Sequence, residues 1–442
     1  MKADLILRRA KLVTGRSVFE GDLAVQGERI ASIGDLSAWH GAEEYDCHGL
    51  HLLPGVIDTQ VHFREPGLEH KEDLESGTRA AIMGGTTTVF EMPNTSPSTT
   101  TAEALADKVS RAQGRTWCET SFFVGASPDN IGQLADLEML PGTPGVKIFM
   151  GSSTGNLLVD TDDLLREVLK NGKRTCPVHS EDEPRNRERK ALISDNPHPR
   201  EHPFLRDAES ARLCTERLLR LSAETKRPVH VLHISTLEEL PLLAGAKATG
   251  LPVTCEITPQ HLSLNAELYE TLGSLVQMNP PIRSEEHRVA LMEAFQAGLF
   301  DVIGSDHAPH TLEEKAKPYP QSPSGMPGVQ TLLPIMLDWV NKGALDLSKL
   351  VRMTSENPAK LYGLRDKGWI APGSHADLVL VDLNAEWEVT KDWLQSKCGW
   401  SPYEGWKLRG RVEHVLLRGG WAVRDRGLVG SPRGKSVRFT WK

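Results

Sequence analysis

The stretch Asp58-Thr59-Gln60-Val61-His62-Phe63-Arg64-Glu65-Pro66-Gly67 follows the apolar run Leu52-Leu53-Pro54-Gly55-Val56-Ile57. An apolar run bounded by Pro and Gly reads as a buried strand, and the residues after it as that strand's carboxyl end. Side chains alternate along a strand, so Gln60 and His62 point the same way. Two donors at that spacing can grip one metal ion, and Arg64 just beyond can hold an anion in a bidentate fork.

Outward from this segment the chain alternates strand and helix. Strands are expected at Gly55–His62, Thr86–Met92, Ser121–Gly125, Val146–Met150, Pro177–Ser180, Val229–Ile234, Val253–Thr258 and Val302–Asp306. Between them, Leu74–Met83, Ala102–Ala112, Thr161–Leu169, Asp207–Ala223, Leu237–Ala246 and Arg288–Ala297 have helical texture. Such alternation predicts an α/β fold, a (β/α)8 barrel over residues 55–365. The other way to arrange it, a doubly wound open sheet, has no Gly-x-Gly-x-x-Gly after any strand to support it. Residues 1–54 and 366–442 are β-rich: Leu5-Ile6-Leu7, Leu23-Ala24-Val25, Ala376–Asp382 and Val412–Gly419 are short strand candidates. The two ends together predict a small β-sandwich domain built from both termini. Pro318–Pro327 reads as a loop over one barrel end.

The chain has 442 residues, enough for a barrel of about 250 residues and an accessory domain. With 51 Lys and Arg against 59 Asp and Glu, the net charge of −8 disfavours nucleic acid and anionic membranes as partners. No apolar run approaches about 18 residues, the first residues lack the pattern of a signal peptide, and six scattered cysteines form no Cys-x-x-Cys pair. A cytoplasmic location is the expectation.

Barrel chemistry collects at the carboxyl ends of strands. Read in order, those ends carry Gln60 and His62, Asn94, Lys147, His179, His233 and Asp306. Lys147 lies in the apolar Val146-Lys147-Ile148-Phe149-Met150, where an unpaired ammonium is costly, so it must be paired, neutral or modified. His230 is out of phase with His233 and is expected to face outward. His48, His51, His70, His198, His202 and His261 have no partner pattern and read as structural or surface residues. His307 is expected to point away from the site. Glu181–Lys190 reads as a solvated helix face.

Several segments resemble the cyclic amidohydrolases, and among them the dihydroorotases. Gly304-Ser305-Asp306-His307-Ala308-Pro309-His310-Thr311-Leu312-Glu313-Glu314-Lys315 matches that group's second motif. Met92-Pro93-Asn94-Thr95, His179-Ser180-Glu181-Asp182, His233-Ile234-Ser235, Met278-Asn279-Pro280-Pro281 and Ser324-Gly325 are similar as well. The likeness runs over nearly the whole chain. It departs at Gln60, where the group's Asp-x-His-x-His-Phe-Arg pattern has a histidine ligand.

The resemblance implies a zinc-dependent hydrolase that interconverts N-carbamoyl-L-aspartate and L-dihydroorotate in pyrimidine biosynthesis, with one or two zinc ions per chain. It implies that Lys147, carboxylated by CO2, bridges the metals; that His62, with Gln60 in the usual histidine's place, holds the first; and that His179 and His233 hold the second. Asp306 would contact metal and shuttle the proton. Arg64, Asn94 and His310 would clamp the substrate carboxylate, and Asn279, Ser324 and Gly325 would touch the ring amide edges. Allantoinases tend to carry Asn at the Arg64 position, and hydantoinases keep neither the Arg nor the Glu-Pro-Gly after it. An amide is a weaker zinc ligand than imidazole, so the first site is expected to be the weaker. Two other readings stay open: a catalytically silent subunit that scaffolds a partner such as aspartate carbamoyltransferase, which Gln60 supports, or an allantoinase- or hydantoinase-like hydrolase of another cyclic ureide. A homo-oligomer, dimer or tetramer, is expected.

Overall fold

The computed structural model describes residues 1–151 and 155–440, so the last two positions of the expected 366–442 segment lie outside the described residues. Strands Val56–Val61, Thr86–Glu91 and Glu119–Phe122 pair in parallel, in chain order. A second parallel run takes Val124–Gly125, Val146–Phe149, Cys176–His179, Val229–Val231, Val253–Ile257 and Val302–Ile303. Only Phe123 separates the two runs on one side. On the other, Val61 bridges His307, and the His62 N–H donates to the His307 carbonyl at 2.7 Å. The ring therefore closes as the expected barrel.

Burial on both faces explains why these strands are continuous apolar runs. Val89, Val124, Ile148, Val178, Val231 and Ile257 pack outward with helix residues such as Ala80, Leu105 and Leu218. Their alternating neighbours Phe90, Phe123 and Leu232 meet Ile57 and Tyr362 in a separate cluster. Residues from strands on opposite sides of the ring can touch only through its interior, so this cluster plugs the barrel. Helices Leu74–Met83 and Ala102–Ala112 lie where the sequence places them; Asp73 and Thr101 cap them by accepting from Ser76 and Ala104 N–H groups. Among the described residues no helix is long and apolar enough to cross a membrane.

The two β-rich ends share a nine-stranded sheet. Its join is His51–Pro54, which runs parallel to Lys2–Val13 on one side and antiparallel to Leu378–Glu388 on the other. Leu7, Leu12, Leu23, Val25, Leu52, Leu380 and Leu416 bury one face. Helix Leu332–Asn341 ties this sheet to the barrel: Asp338 accepts from Arg409 N–H at 3.1 Å, and Asn341 donates to the Arg409 carbonyl at 2.8 Å.

One orientation differs from expectation. His230 is fully buried and faces inward, bonded to Thr254 at 2.7 Å and 3.8 Å from Glu256, with the Tyr362 ring beside it. The strand stops at Val231, and His233 has a left-handed φ of 37°. Counting alternation from His233 back to His230 therefore gives the wrong face.

Candidate active site

Three groups of side chains gather at the carboxyl ends of the strands. The first joins the first and last strands. Gln60 is 1 % exposed, and its amide NH2 donates to Asp306 Oδ1 at 2.9 Å. The same oxygen lies 3.3 Å from His62 Nε2. His62 Nδ1 is 2.7 Å from Asn94 Oδ1, so Asn94 is held against the imidazole, where the resemblance makes it a carboxylate clamp. Burial, the largest influence on His62, holds its pKa below the usual histidine value.

The second group belongs to the middle of the barrel. His179 Nδ1 and His233 Nε2 face each other at 3.1 Å. The far nitrogen of His179 donates to Glu181 at 2.8 Å, and Glu181 is ion-paired to Arg206. Burial opposes ionisation of Glu181, but Arg206 and His179 outweigh it and hold the carboxyl far below its usual range. Burial pushes both histidines down, so they are neutral donors at neutral pH. Lys147, 1 % exposed, has its Nζ 4.6 Å from the Phe149 ring centre and no ion-pair partner among the described residues. Burial lowers its pKa from 10.5 to about 7, against the opposing pull of Asp306 and Glu256.

These donors bear directly on the expected zinc. Among the described residues no three His, Cys, Asp or Glu side chains come close enough together to hold a metal ion, so the expected ligands form two groups and not one cluster. His179 and His233 nevertheless fit one divalent cation. Two neutral imidazoles converge, a carboxylate fixes the outer nitrogen of one of them as it does in metal sites, and His233 Nδ1 is buried without a partner. Lys147, as a carbamate, would add oxygen to this pair. The Gln60 group fits a cation poorly, because it offers an N–H2 donor to Asp306 where a lone pair is needed.

The third group is cationic. Arg64 is 8 % exposed and sits at a left-handed φ of 69°. Its Nε donates to the Pro309 carbonyl at 3.1 Å and its Nη2 lies 3.3 Å from His310; no carboxylate pairs with it among the described residues. His310 is expected to clamp a carboxylate, but both its nitrogens are already engaged. Nδ1 accepts from Lys71 Nζ at 3.1 Å, and Nε2 donates to the Ser324 carbonyl at 3.0 Å. Burial, followed by Arg64, Lys71 and Lys315, keeps this imidazole neutral. Lys315 is buried and spends its ammonium on the carbonyls of Gln277, Pro323 and Gly325, which shapes the Ser324-Gly325 turn. At Gly325, φ is 139° and a Cβ would lie 2.3 Å from the Ala308 carbonyl oxygen, so only glycine fits.

Two residues that read as structural or solvated belong to this site. Glu181 is fully buried, although Glu183–Lys190 behind it is the solvated helix expected. His202 joins three segments. Its Nε2 lies 3.0 Å from the Met278 carbonyl, 2.8 Å from Asn279 Oδ1 and 3.4 Å from Ser324 Oγ, while Nδ1 is 3.2 Å from the Tyr319 hydroxyl. Asn279 and Ser324 are thus brought together through a histidine that no spacing in the sequence points to. His202→Leu strands the buried Met278 carbonyl, and about 1–3 kcal/mol of stability should be lost. Urea unfolding of the two forms measures this, and an unchanged midpoint would contradict it. His307 points away from the site, as read, and accepts from Gly328 N–H at 3.1 Å.

Comparison with known proteins agrees with this fold. The model of the amidohydrolase family matches residues 51–195 and 199–422. A dihydroorotase of Halobacterium salinarum is 36% identical over 98% of this chain and 99% of its own length. One from Pyrococcus abyssi is 34% identical, covering 98% of each. Among solved structures, the L-hydantoinase (dihydropyrimidinase) from Arthrobacter aurescens superposes with a TM-score of 0.93 at 29% identity, over 98% of this chain and 99% of that one. The dihydropyrimidinase from Brevibacillus agri gives 0.92 at 29%, over 99% of both. By sequence and by fold, the chain belongs to the amidohydrolase family and is a cyclic amidohydrolase.

Proposed function

We propose that the chain is a zinc-dependent dihydroorotase, opening and closing the ring amide of L-dihydroorotate. The observation that carries this reading is Arg64, a buried guanidinium with no carboxylate partner among the described residues. An Arg so placed is matched to a planar anion, and the substrate carboxylate supplies one. The full-length similarity to dihydroorotases supports the same choice.

Zinc, when bound, acts as a Lewis acid and lowers the pKa of a water molecule toward neutrality. His179 and His233 would hold it with a carbamate on Lys147, and Glu181 keeps His179 oriented. Arg64 anchors the substrate carboxylate, and the Ser324-Gly325 turn and Asn279 flank the ring. Asp306 takes up the proton released as water attacks the ring carbonyl and delivers it to the departing amide nitrogen. Gln60 holds its carboxylate in place for both transfers.

Arg64→Met should lower kcat/KM for dihydroorotate by roughly 10- to 100-fold, the effect of losing a charge-assisted contact, with zinc content unchanged. Unchanged kinetics would remove the argument for an acidic substrate. The close superposition on hydantoinases favours a second reading, a hydrolase of an uncharged cyclic ureide. A silent subunit docked to aspartate carbamoyltransferase is the alternative that Gln60 keeps alive. Six free, buried cysteines are in keeping with a reducing cytoplasm, and we place the enzyme there as a homo-oligomer.

A further inference from the structure

We infer that Gln60 takes the place of one metal ion: the chain works with a single divalent cation at His179, His233 and Lys147, and Asp306 is oriented by the Gln60 amide instead of by a second cation. This rests on the reading of the site as a zinc hydrolase centre.

The hydrogen-bond pattern carries the argument. The Asp306 oxygen nearest the head of the first strand already accepts from the Gln60 amide, with Gln60 Nε2 at 2.9 Å. The amide cannot be reversed without cost, since its oxygen would then oppose the carboxylate oxygen. A cation entering here must turn Gln60, break its bond to Asp306 and accept a neutral amide oxygen as ligand. His62 is also held from behind by Asn94. The pair His179 and His233 differs: its two ring nitrogens share one proton at 3.1 Å, which the unpartnered His233 Nδ1 can take so that both lone pairs converge, and a carboxylate braces His179. Gln60 has one feature a second cation could use: its Oε1 is buried and has no hydrogen-bond partner.

The test is metal content of the purified, full-length enzyme after equilibration with excess zinc and removal of loose ions, alongside cobalt(II) titration followed by visible absorption. The wild type should hold one zinc per chain, and its cobalt spectrum should saturate at one equivalent. Gln60→His should take up two. Gln60→Leu should keep its one zinc while kcat falls roughly 10- to 100-fold at unchanged KM, because Asp306 has lost its orienting donor. Two tightly held zincs in the wild type would overturn the inference, as would loss of the zinc in Gln60→Leu, since Gln60 would then be a ligand. The two readings fail separately. One zinc without turnover of any cyclic amide sinks the enzyme assignment and leaves the single-metal site standing; two zincs with good turnover do the reverse.

Discussion

Lys147→Ala should lose its zinc and its turnover together, the latter by on the order of 10³-fold or more, since metal activation supplies several kcal/mol. The reason lies in where the lysine is. It is buried in a strand between Val146 and Ile148, pairs with no carboxylate among the described residues, and has its pKa pushed down to about 7 by desolvation. A neutral amine attacks CO2, forming a C–N bond and releasing one proton, and the resulting carbamate has the charge and the oxygens that a cation beside His179 and His233 requires. The sign of the pH effect follows. The reactive neutral fraction rises with pH through about 7, whereas an exposed lysine would need a pH near its ordinary 10.5. Recovery of zinc binding by metal-free protein under a fixed partial pressure of CO2 should therefore speed up between pH 6 and about 8 and then level off. Short carboxylic acids should partly rescue Lys147→Ala. An active, metal-loaded preparation that shows no carbamate carbon by 13C NMR of the folded protein prepared in 13C-bicarbonate would contradict this account.

Asp306→Asn should lower kcat by roughly 10²- to 10⁴-fold, the usual contribution of a positioned acid–base group, with little change in zinc content or KM. Asp306 sits at a left-handed φ of 44°, a conformation that asparagine tolerates about as well as aspartate. The amide oxygen can still accept from Gln60, so the substitution removes proton transfer and leaves the local structure. If Asp306→Asn kept wild-type kcat, the proton would have to travel by another group. If it lost all its zinc, Asp306 would be chiefly a ligand. His233 at φ 37° and Arg64 at φ 69° share this strained backbone, and such strain is characteristic of functional positions.

The barrel was legible in the sequence because each buried parallel strand is a short apolar run between turn residues. Helix Leu332–Asn341 was not, because residues 332–338 are all buried and no polar face produces a helical stripe. Strand His40–Asp46 was hidden by the opposite composition, with only Ala42 and Tyr45 as apolar residues. In the site, alternation placed Gln60 beside His62, and the strand-end rule found Lys147, His179, His233 and Asp306. The sequence could not show that Asn94 would be spent on His62, or His310 on Lys71 and Ser324, because those pairings depend on distances between strands. Glu181 was masked by the charged helix that follows it. His202 lies in the long connection after the His179 strand, where no period marks it.

The central claim is an acidic substrate recognised by Arg64, and it is tested most directly by comparing two substrates that differ in one group. Dihydroorotate and dihydrouracil share the ring and differ by the carboxylate. The account predicts that the wild type prefers dihydroorotate by roughly 10- to 100-fold or more in kcat/KM, and that Arg64→Met erases most of this preference. Equal or faster turnover of dihydrouracil by the wild type would contradict it.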